Sequence, residues 1–176
     1  MFNSFILMLN AIKEDMAAHN IKSLYYILLP SDKANILQFQ CYMRLLEFLV
    51  KFKIFFPFYV VIKFLFVKKG EQLGFSIPIN TFGAGLWIVH KGTIVVSSDA
   101  RIGNNCRIHV CVNIGKNPLG NNKAPKIGNN CYIGPGAKIY GDIYISDNSI
   151  IGANSVVNKS FYQPGKILGI PAKRYE

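Results

Sequence analysis

The 176-residue chain has four cysteines and three histidines, and neither set is spaced for metal or disulfide chemistry. There is no zinc-type Cys/His spacing, and Cys41 and Cys111 lack a Cys-x-x-Cys partner. A zinc site and a disulfide framework are therefore set aside. Reduced thiols fit a cytoplasmic chain. Met1–Asn10 contains apolar residues but lacks the basic n-region and cleavage site of a signal peptide. A membrane span wants about 20 apolar residues without charge. The most apolar segment, from Ile54 to Val67, is interrupted by Pro57 and Lys63. Acidic residues are scarce, nine against twenty Lys and Arg, for a net charge of +11. The basic residues are scattered (Arg101, Arg107, Lys116, Lys123, Lys126, Lys138, Lys166) rather than clustered with stacking aromatics, so nucleic acid is not expected. Solvated outer faces account for them, or a site for a phosphate-rich small molecule.

What is present is a period of six. Aliphatic residues recur at Val96, Ile102, Ile108 and Ile114, then at Ile127, Ile133, Ile139, Ile145, Ile151 and Val157. A second register, four residues on, holds Ala100, Cys106, Val112, Cys131, Ala137, Ile143, Ser149 and Ser155. Neither a helix of period 3.6 nor a strand of period 2 makes this pattern. A hexad repeat marks a parallel β-helix, in which each short strand is one side of a coil. In Ile127-Gly-Asn-Asn-Cys-Tyr132 the Ile fills the coil, the asparagines take a corner where left-handed angles are tolerated, and Cys131 is a smaller inward residue. Three hexads close a coil of about 18 residues, and stacked coils bury what one coil cannot. Roughly four coils fit between Phe82 and Val157 if Phe82 and Ile88 form the first two sides.

The chain divides into a helical N-terminal region (1–74), a β-helix (75–160) and a C-terminal tail (161–176). Ile6, Leu9, Ile12 and Met16 have helical spacing, with Lys13, Glu14 and Asp15 on other faces. Pro30-Ser31-Asp32 can cap a second helix from Asn35 to about Lys53. The segment 51–69 reads as a helix packed on the β-helix or on a partner subunit, or as one lying on the inner membrane face through its flanking lysines. Residues 116–126 break the repeat with turn formers and should bulge out as a loop. A solenoid does not need such a loop, which makes it a functional hint.

Several segments together resemble the serine O-acetyltransferase-like branch of the hexapeptide acyltransferases. They are Leu86-Trp-Ile-Val-His90, Val112-Asn-Ile-Gly115, Lys123-Ala-Pro-Lys-Ile-Gly128, Ile133-Gly-Pro-Gly-Ala137, Ile151-Gly-Ala-Asn-Ser-Val-Val157 and Gly169-Ile-Pro-Ala172. The likeness is nearest to members that acetylate capsular or exopolysaccharide sugars, of the colanic-acid type. It implies a left-handed β-helix, against the usual crossover hand, and a homotrimer with active sites between subunits. It also implies acetyl-CoA as donor and no metal. On this resemblance His90 is the general base that takes the proton of an attacking hydroxyl. His109 is a candidate second active-site group, with a surface side chain as the alternative, and His19 is structural. Backbone amides near Gly115 and Lys116 would receive the oxyanion. Pro135, Gly136, Gly152 and Ala153 would line the pantetheine groove, and Lys159, Lys173 and Arg174 would meet the phosphates.

Three positions depart from the serine-using members. Val89 replaces an acidic residue before the base, Ala124 replaces a second histidine, and Phe75 stands where an aspartate would orient the base. The first two remove recognition of an amino acid, so the expected acceptor is a sugar hydroxyl of a surface polysaccharide or its precursor. The alternatives are serine O-acetylation for cysteine synthesis and a non-catalytic β-helix serving assembly or binding.

Overall fold

A computed structural model describes residues 4–51, 56–117 and 119–176. Residues 1–3 of the N-terminal stretch that lacks signal-peptide features, residues 52–53 with Ile54 and Phe55 of the apolar segment, and Pro118 of the loop lie outside the described residues.

The period of six becomes a left-handed parallel β-helix of triangular section. Its first side stacks Phe75–Ser76, Ile94–Val96, Val112–Gly115, Lys138–Tyr140 and Val156–Val157. The second stacks Arg101–Ile102, Lys126–Ile127 and Tyr144–Ile145, extended by single bridges from Phe82 to Ile102 and from Phe161 to Ile145. The third stacks Trp87–Ile88, Arg107–Ile108, Tyr132–Ile133, Ile150–Ile151 and Lys166–Gly169, and Ala172–Tyr175 closes it antiparallel. Phe82 and Ile88 belong to the first coil as its second and third sides rather than its first two, because Phe75–Ser76 stacks on Ile94–Val95 ahead of them. Register puts like over like: Ile88, Ile108, Ile133, Ile151 and Ile167 form one fully buried column. The small second register, Cys106 and Cys131 included, is buried as expected.

The corner between sides two and three shows why asparagine recurs there. Asn105, Asn130 and Asn148 hold φ of 55°, 54° and 60°, a region that asparagine enters at less cost than most residues. Beside them the side chains form a ladder from coil to coil. Asn104 Oδ1 accepts from Ala84 N at 3.0 Å, Asn129 Oδ1 from Asn104 N at 2.8 Å, and Asp147 Oδ1 from Asn129 N at 2.8 Å. Corner amides that no strand partner reaches are thereby satisfied.

The repeat runs on beyond Val157. Phe161 supplies another second side and Lys166–Gly169 another third side, so the boundary expected at residue 160 falls inside a coil. Pro164-Gly165 is the corner that leads into Lys166–Gly169. The final hairpin pairs with the last coil and blunts an otherwise open strand edge.

Three helices cap the other end: α1 (Phe5–Ala18), α2 (Asp32–Leu49) and α3 (Phe56–Leu73). Ser31 caps α2, its hydroxyl accepting from Ala34 N at 3.1 Å. In α1 the helix forms as expected but buries a different face. Met8, Ala11, Asp15 and Met16 are buried while Ile6 is 68% exposed. The cause is Arg44 of α2, whose side chain is 0% exposed and draws Asp15 inward at 2.8 Å. Arg44 also reaches Glu47 at 3.1 Å, the Phe82 carbonyl at 2.9 Å and the Gly83 carbonyl at 2.6 Å. Asp15 Oδ1 in turn accepts from Leu86 N at 2.8 Å, and Gln40 Nε2 donates to Leu86 O at 2.7 Å. The top coil, with no coil above it, finds its missing hydrogen-bond partners in these side chains. In α3, Ile62, Phe66 and Leu73 face inward, with Phe66 stacked on Phe39 at 4.7 Å. Phe56, Phe58, Val60, Val61, Phe64 and Val67 of the same helix are exposed. Among the described residues no helix is long and apolar enough to cross a membrane.

Candidate active site

The corner between sides three and one carries most of the expected site residues. The chain leaves side three four times over the same spot, at Val89, His109, Gly134 and Gly152, because the strands before these residues are in register, and His90 follows Val89 directly. Backbone bonds tie the corners together: Gly136 N donates to Val110 O at 2.9 Å and Asn154 N to Pro135 O at 2.9 Å. His90 and His109 are thus neighbours one coil apart, with ring centres 6.4 Å apart. Pro135, Gly136, Gly152 and Ala153 continue the same ridge below them.

His90 is exposed. It lines a cavity of about 500 Å³ with His19, Asp32, Lys33, Ile36, Trp87, Val89 and Lys91, between the top coil and the start of α2. Asp32 is bonded to Lys91 at 3.0 Å. His109 is half-buried rather than a free surface side chain. Its ring lies 5.0 Å from that of Tyr132, and its Nε2 is enclosed without a hydrogen-bond partner. Burial, then the charge of Arg107, then that of His90 hold its pKa below the ordinary histidine value. It therefore sits neutral near pH 7, able to give or take one hydrogen bond at each nitrogen according to tautomer. His19 caps the end of α1, buried and bonded through Nε2 to Gln40 Oε1 at 2.9 Å, and burial lowers its pKa to about 4.

Other expected groups lie elsewhere in the chain. Gly115 and Lys116 are at the far end of side one, with Gly115 level with Ser97, six residues past His109 and so at most roughly 20 Å from the histidine corner at about 3.3 Å per strand residue. Lys116 Nζ is held at 2.5 Å by Asp99. Loop 116–126 leaves the same corner and is pinned by Asp142, which accepts from Asn121 at 2.6 Å and Lys123 at 3.1 Å. Lys159 is also on that corner, its ammonium 5.6 Å from the Phe161 ring centre. Lys173 and Arg174 lie on the closing hairpin, where Arg174 donates to Pro164 O at 3.1 Å. A single chain therefore does not bring the oxyanion amides or Lys159 to His90.

One glycine of the expected groove, Gly136, is demanded by its backbone, which holds φ of 76°, whereas at Gly152 the obstacle is the movable tip of the exposed Leu168 side chain. A Cβ on Gly136 would lie 1.9 Å from Asn154 Oδ1, and one on Gly152 would lie 2.3 Å from Leu168 Cδ2. Ala124 is buried at the loop's end, and Phe75 is in the core, edge-on to Phe39 at 5.3 Å. No carboxylate replaces Phe75 at that position; the described acidic residue in the His90 cavity is Asp32.

The repetition of the chain does not reveal one further feature of this face. Trp87, Arg107 and Tyr132 stack outward along side three, the guanidinium carbon 4.1 Å from the Trp87 ring centre and 5.5 Å from that of Tyr132.

Residues 124–159 match the family model described as bacterial transferase hexapeptide (six repeats). Over 97 residues the chain is 33% identical to a serine acetyltransferase of Mycobacterium tuberculosis, covering 54% of this chain and 42% of that protein. Over 95 residues it is 40% identical to one of Staphylococcus xylosus, covering 53% and 44%. The chain thus spans less than half the length of these curated relatives. Its fold is similar to the crystal structure of serine acetyltransferase from Brucella abortus, with a TM-score of 0.75, 25% identity, and coverage of 97% and 70%. It is similar to Neisseria gonorrhoeae serine acetyltransferase in complex with serine at a TM-score of 0.74 and 26% identity, covering 98% and 71%. These likenesses support the serine acetyltransferase-like branch of the hexapeptide transferases. They do not support the expected nearness to polysaccharide-acetylating members.

Proposed function

We propose that this protein is an acetyl-CoA-dependent O-acetyltransferase with His90 as general base. The observation that carries the reading is His90 on an open cavity, above a ridge of Pro135, Gly136, Gly152 and Ala153, in a fold shared with serine acetyltransferases. The imidazole takes the proton of the acceptor hydroxyl as its oxygen bonds to the thioester carbon. The C–S bond then breaks, and the leaving thiolate takes that proton. The small residues of the ridge leave room for a slender pantetheine arm, and Lys173 at the base of side three offers charge to a phosphate. Since Gly115 and Lys116 lie far from His90 in one chain, the oxyanion amides come from a neighbouring copy, which fits a homotrimer with shared sites.

L-Serine is the first acceptor on this reading, because the similar proteins are serine acetyltransferases. A sugar hydroxyl is the second reading, favoured by Val89 and Ala124, which stand where the groups expected to hold an amino acid would be. The test is thiol release from acetyl-CoA with L-serine beside nucleotide sugars and oligosaccharides, with a no-acceptor control for the protein's own cysteines. Turnover with serine selects the first reading and turnover with a sugar only selects the second. In either case His90→Ala should lower kcat by about 10²- to 10⁴-fold, and an unchanged rate removes His90 as the base. Silence with every acceptor, together with no binding of CoA, would leave a non-catalytic module.

The exposed apolar stripe of α3, bordered by Lys63 and Lys68, supports a further reading in which this helix rests on an anionic membrane surface from the cytoplasmic side.

A further inference from the structure

We infer that Arg107 is an anion-recognising residue of the acceptor site, so that the hydroxyl compound brought to His90 carries a carboxylate or phosphate group. The inference rests on the acyl-transfer reading for calling that ligand an acceptor; the anion site itself stands on geometry. Arg107 is half-buried on the outer surface of side three, between Trp87 at 4.1 Å and Tyr132 at 5.5 Å. Two aromatic faces fix the plane of a guanidinium and leave its edge, where the donors are, directed along the surface. Arg107 Nε is enclosed and has no hydrogen-bond partner, an arrangement that native structures seldom leave unmet. Two residues on, His109 has an enclosed Nε2 that is likewise unpartnered. Two unmet polar atoms therefore lie just beneath the same face, next to His90.

The surroundings carry a net positive charge. The cavity above is walled by Trp87, His90, Lys33 and Lys91, and its described carboxylate, Asp32, is already bonded to Lys91 at 3.0 Å. Arg107 adds a permanent cation directly beneath Trp87. Where serine-using relatives of the resembled branch would place an acid next to the base, this chain has Val89, and it has placed a stacked arginine one coil below instead. Such a surface rejects an ammonium group and attracts an oxyanion. Guanidinium binds carboxylate and phosphate alike, through paired N–H···O bonds.

Trp87 is the only tryptophan of the chain, so its emission reports on this position without any turnover. The probes are glucuronate against glucose, glucose 1-phosphate as the phosphate arm, and L-serine against L-serinamide. We expect a saturable change in Trp87 emission with at least one anionic probe and none with the uncharged or cationic counterparts. The Kd for that probe should rise about tenfold or more in Arg107→Gln, the equivalent of one charge-assisted bond. Arg107→Lys keeps the charge but loses the planar fork, and should weaken binding less. If Arg107→Gln does not fold, the Lys variant carries the comparison. Response to no anion, equal response to neutral probes, or an unchanged Kd in the variants overturns the inference and leaves Arg107 as packing between two rings. Anion binding in a protein that releases no thiol from acetyl-CoA would refute the acyl-transfer reading alone. Turnover on a neutral acceptor, unaffected by Arg107→Gln, would refute this inference alone.

Discussion

Replacement of Arg44 by methionine tests how the helical cap holds the first coil. The methionine fills much of the space, so the cost comes mainly from polar groups left behind. Arg44 meets Asp15 at 2.8 Å and Glu47 at 3.1 Å, and both carboxylates are about as buried as it is. It also serves two carbonyls, of Phe82 and Gly83. Removing one partner of a buried ion pair costs about 3–5 kcal/mol, because the other charge stays buried and unpaired. Asp15 keeps Leu86 N and Glu47 keeps Asn80 N, which moderates the loss toward the lower figure. Against a total stability of about 5–15 kcal/mol this is a large fraction. The assay is urea unfolding followed by circular dichroism and Trp87 emission at fixed protein concentration, since an oligomer's stability depends on concentration. Two companion results should appear. The gap between variant and wild type should narrow as pH falls, because an unpaired buried carboxylate is relieved by protonation. The double variant Asp15→Asn/Arg44→Met should also cost clearly less than the two single losses added. A single-variant loss below about 1 kcal/mol would refute the reasoning and reduce the cluster to an incidental contact.

Three further outcomes follow from the same geometry. His19 is buried neutral with a pKa of about 4, below its unfolded value, so the unfolded chain binds its proton first on acidification; stability should be intact above about pH 6.5 and fall by up to about 3 kcal/mol toward pH 4, a slope that His19→Gln should flatten. If His90 and the oxyanion amides come from neighbouring copies, co-refolding His90→Ala with a variant lacking residues 117–124 should restore activity at about one site in four, whereas two inactive variants that stay inactive when mixed would place the site within one chain. Vesicles containing anionic lipid should sediment the protein at low salt and release it at high salt, and Phe64→Glu together with Val60→Glu should abolish the effect; indifference to vesicles would turn the α3 stripe toward a protein neighbour.

The repeat was readable because inward residues obey one rule: each hexad must fill the same cross-section, so Ile and Val return at the same place and small residues at the next. Outward residues obey no such rule, and the chemistry depends on them. Successive coils along the Asn ladder are separated by 20, 25 and 18 residues, because Gly92 and loop 116–126 lengthen the first two. Trp87, Arg107 and Tyr132 ride on those unequal steps, so no fixed spacing in the sequence aligns them, and Arg107 read as one more solvated cation. His90 is proposed from its local motif, whereas its pairing with His109 also depends on coil stacking. Asp15 was misread for a related reason. Among Lys13 and Glu14 it has the pattern of a solvent face, and only the distant Arg44, which shares no periodic signal with it, turns that face inward. One glycine failed in the opposite direction: Gly136 reads as a ligand approach, yet its φ of 76° already favours glycine there, so it is no independent sign of a bound cofactor. On the proposed acyl-transfer reading, acceptor choice turns on positions the fold leaves free, namely Val89, Arg107 and His109 on the outer surface of side three, where exchange for other residues should change the acceptor without changing the coil.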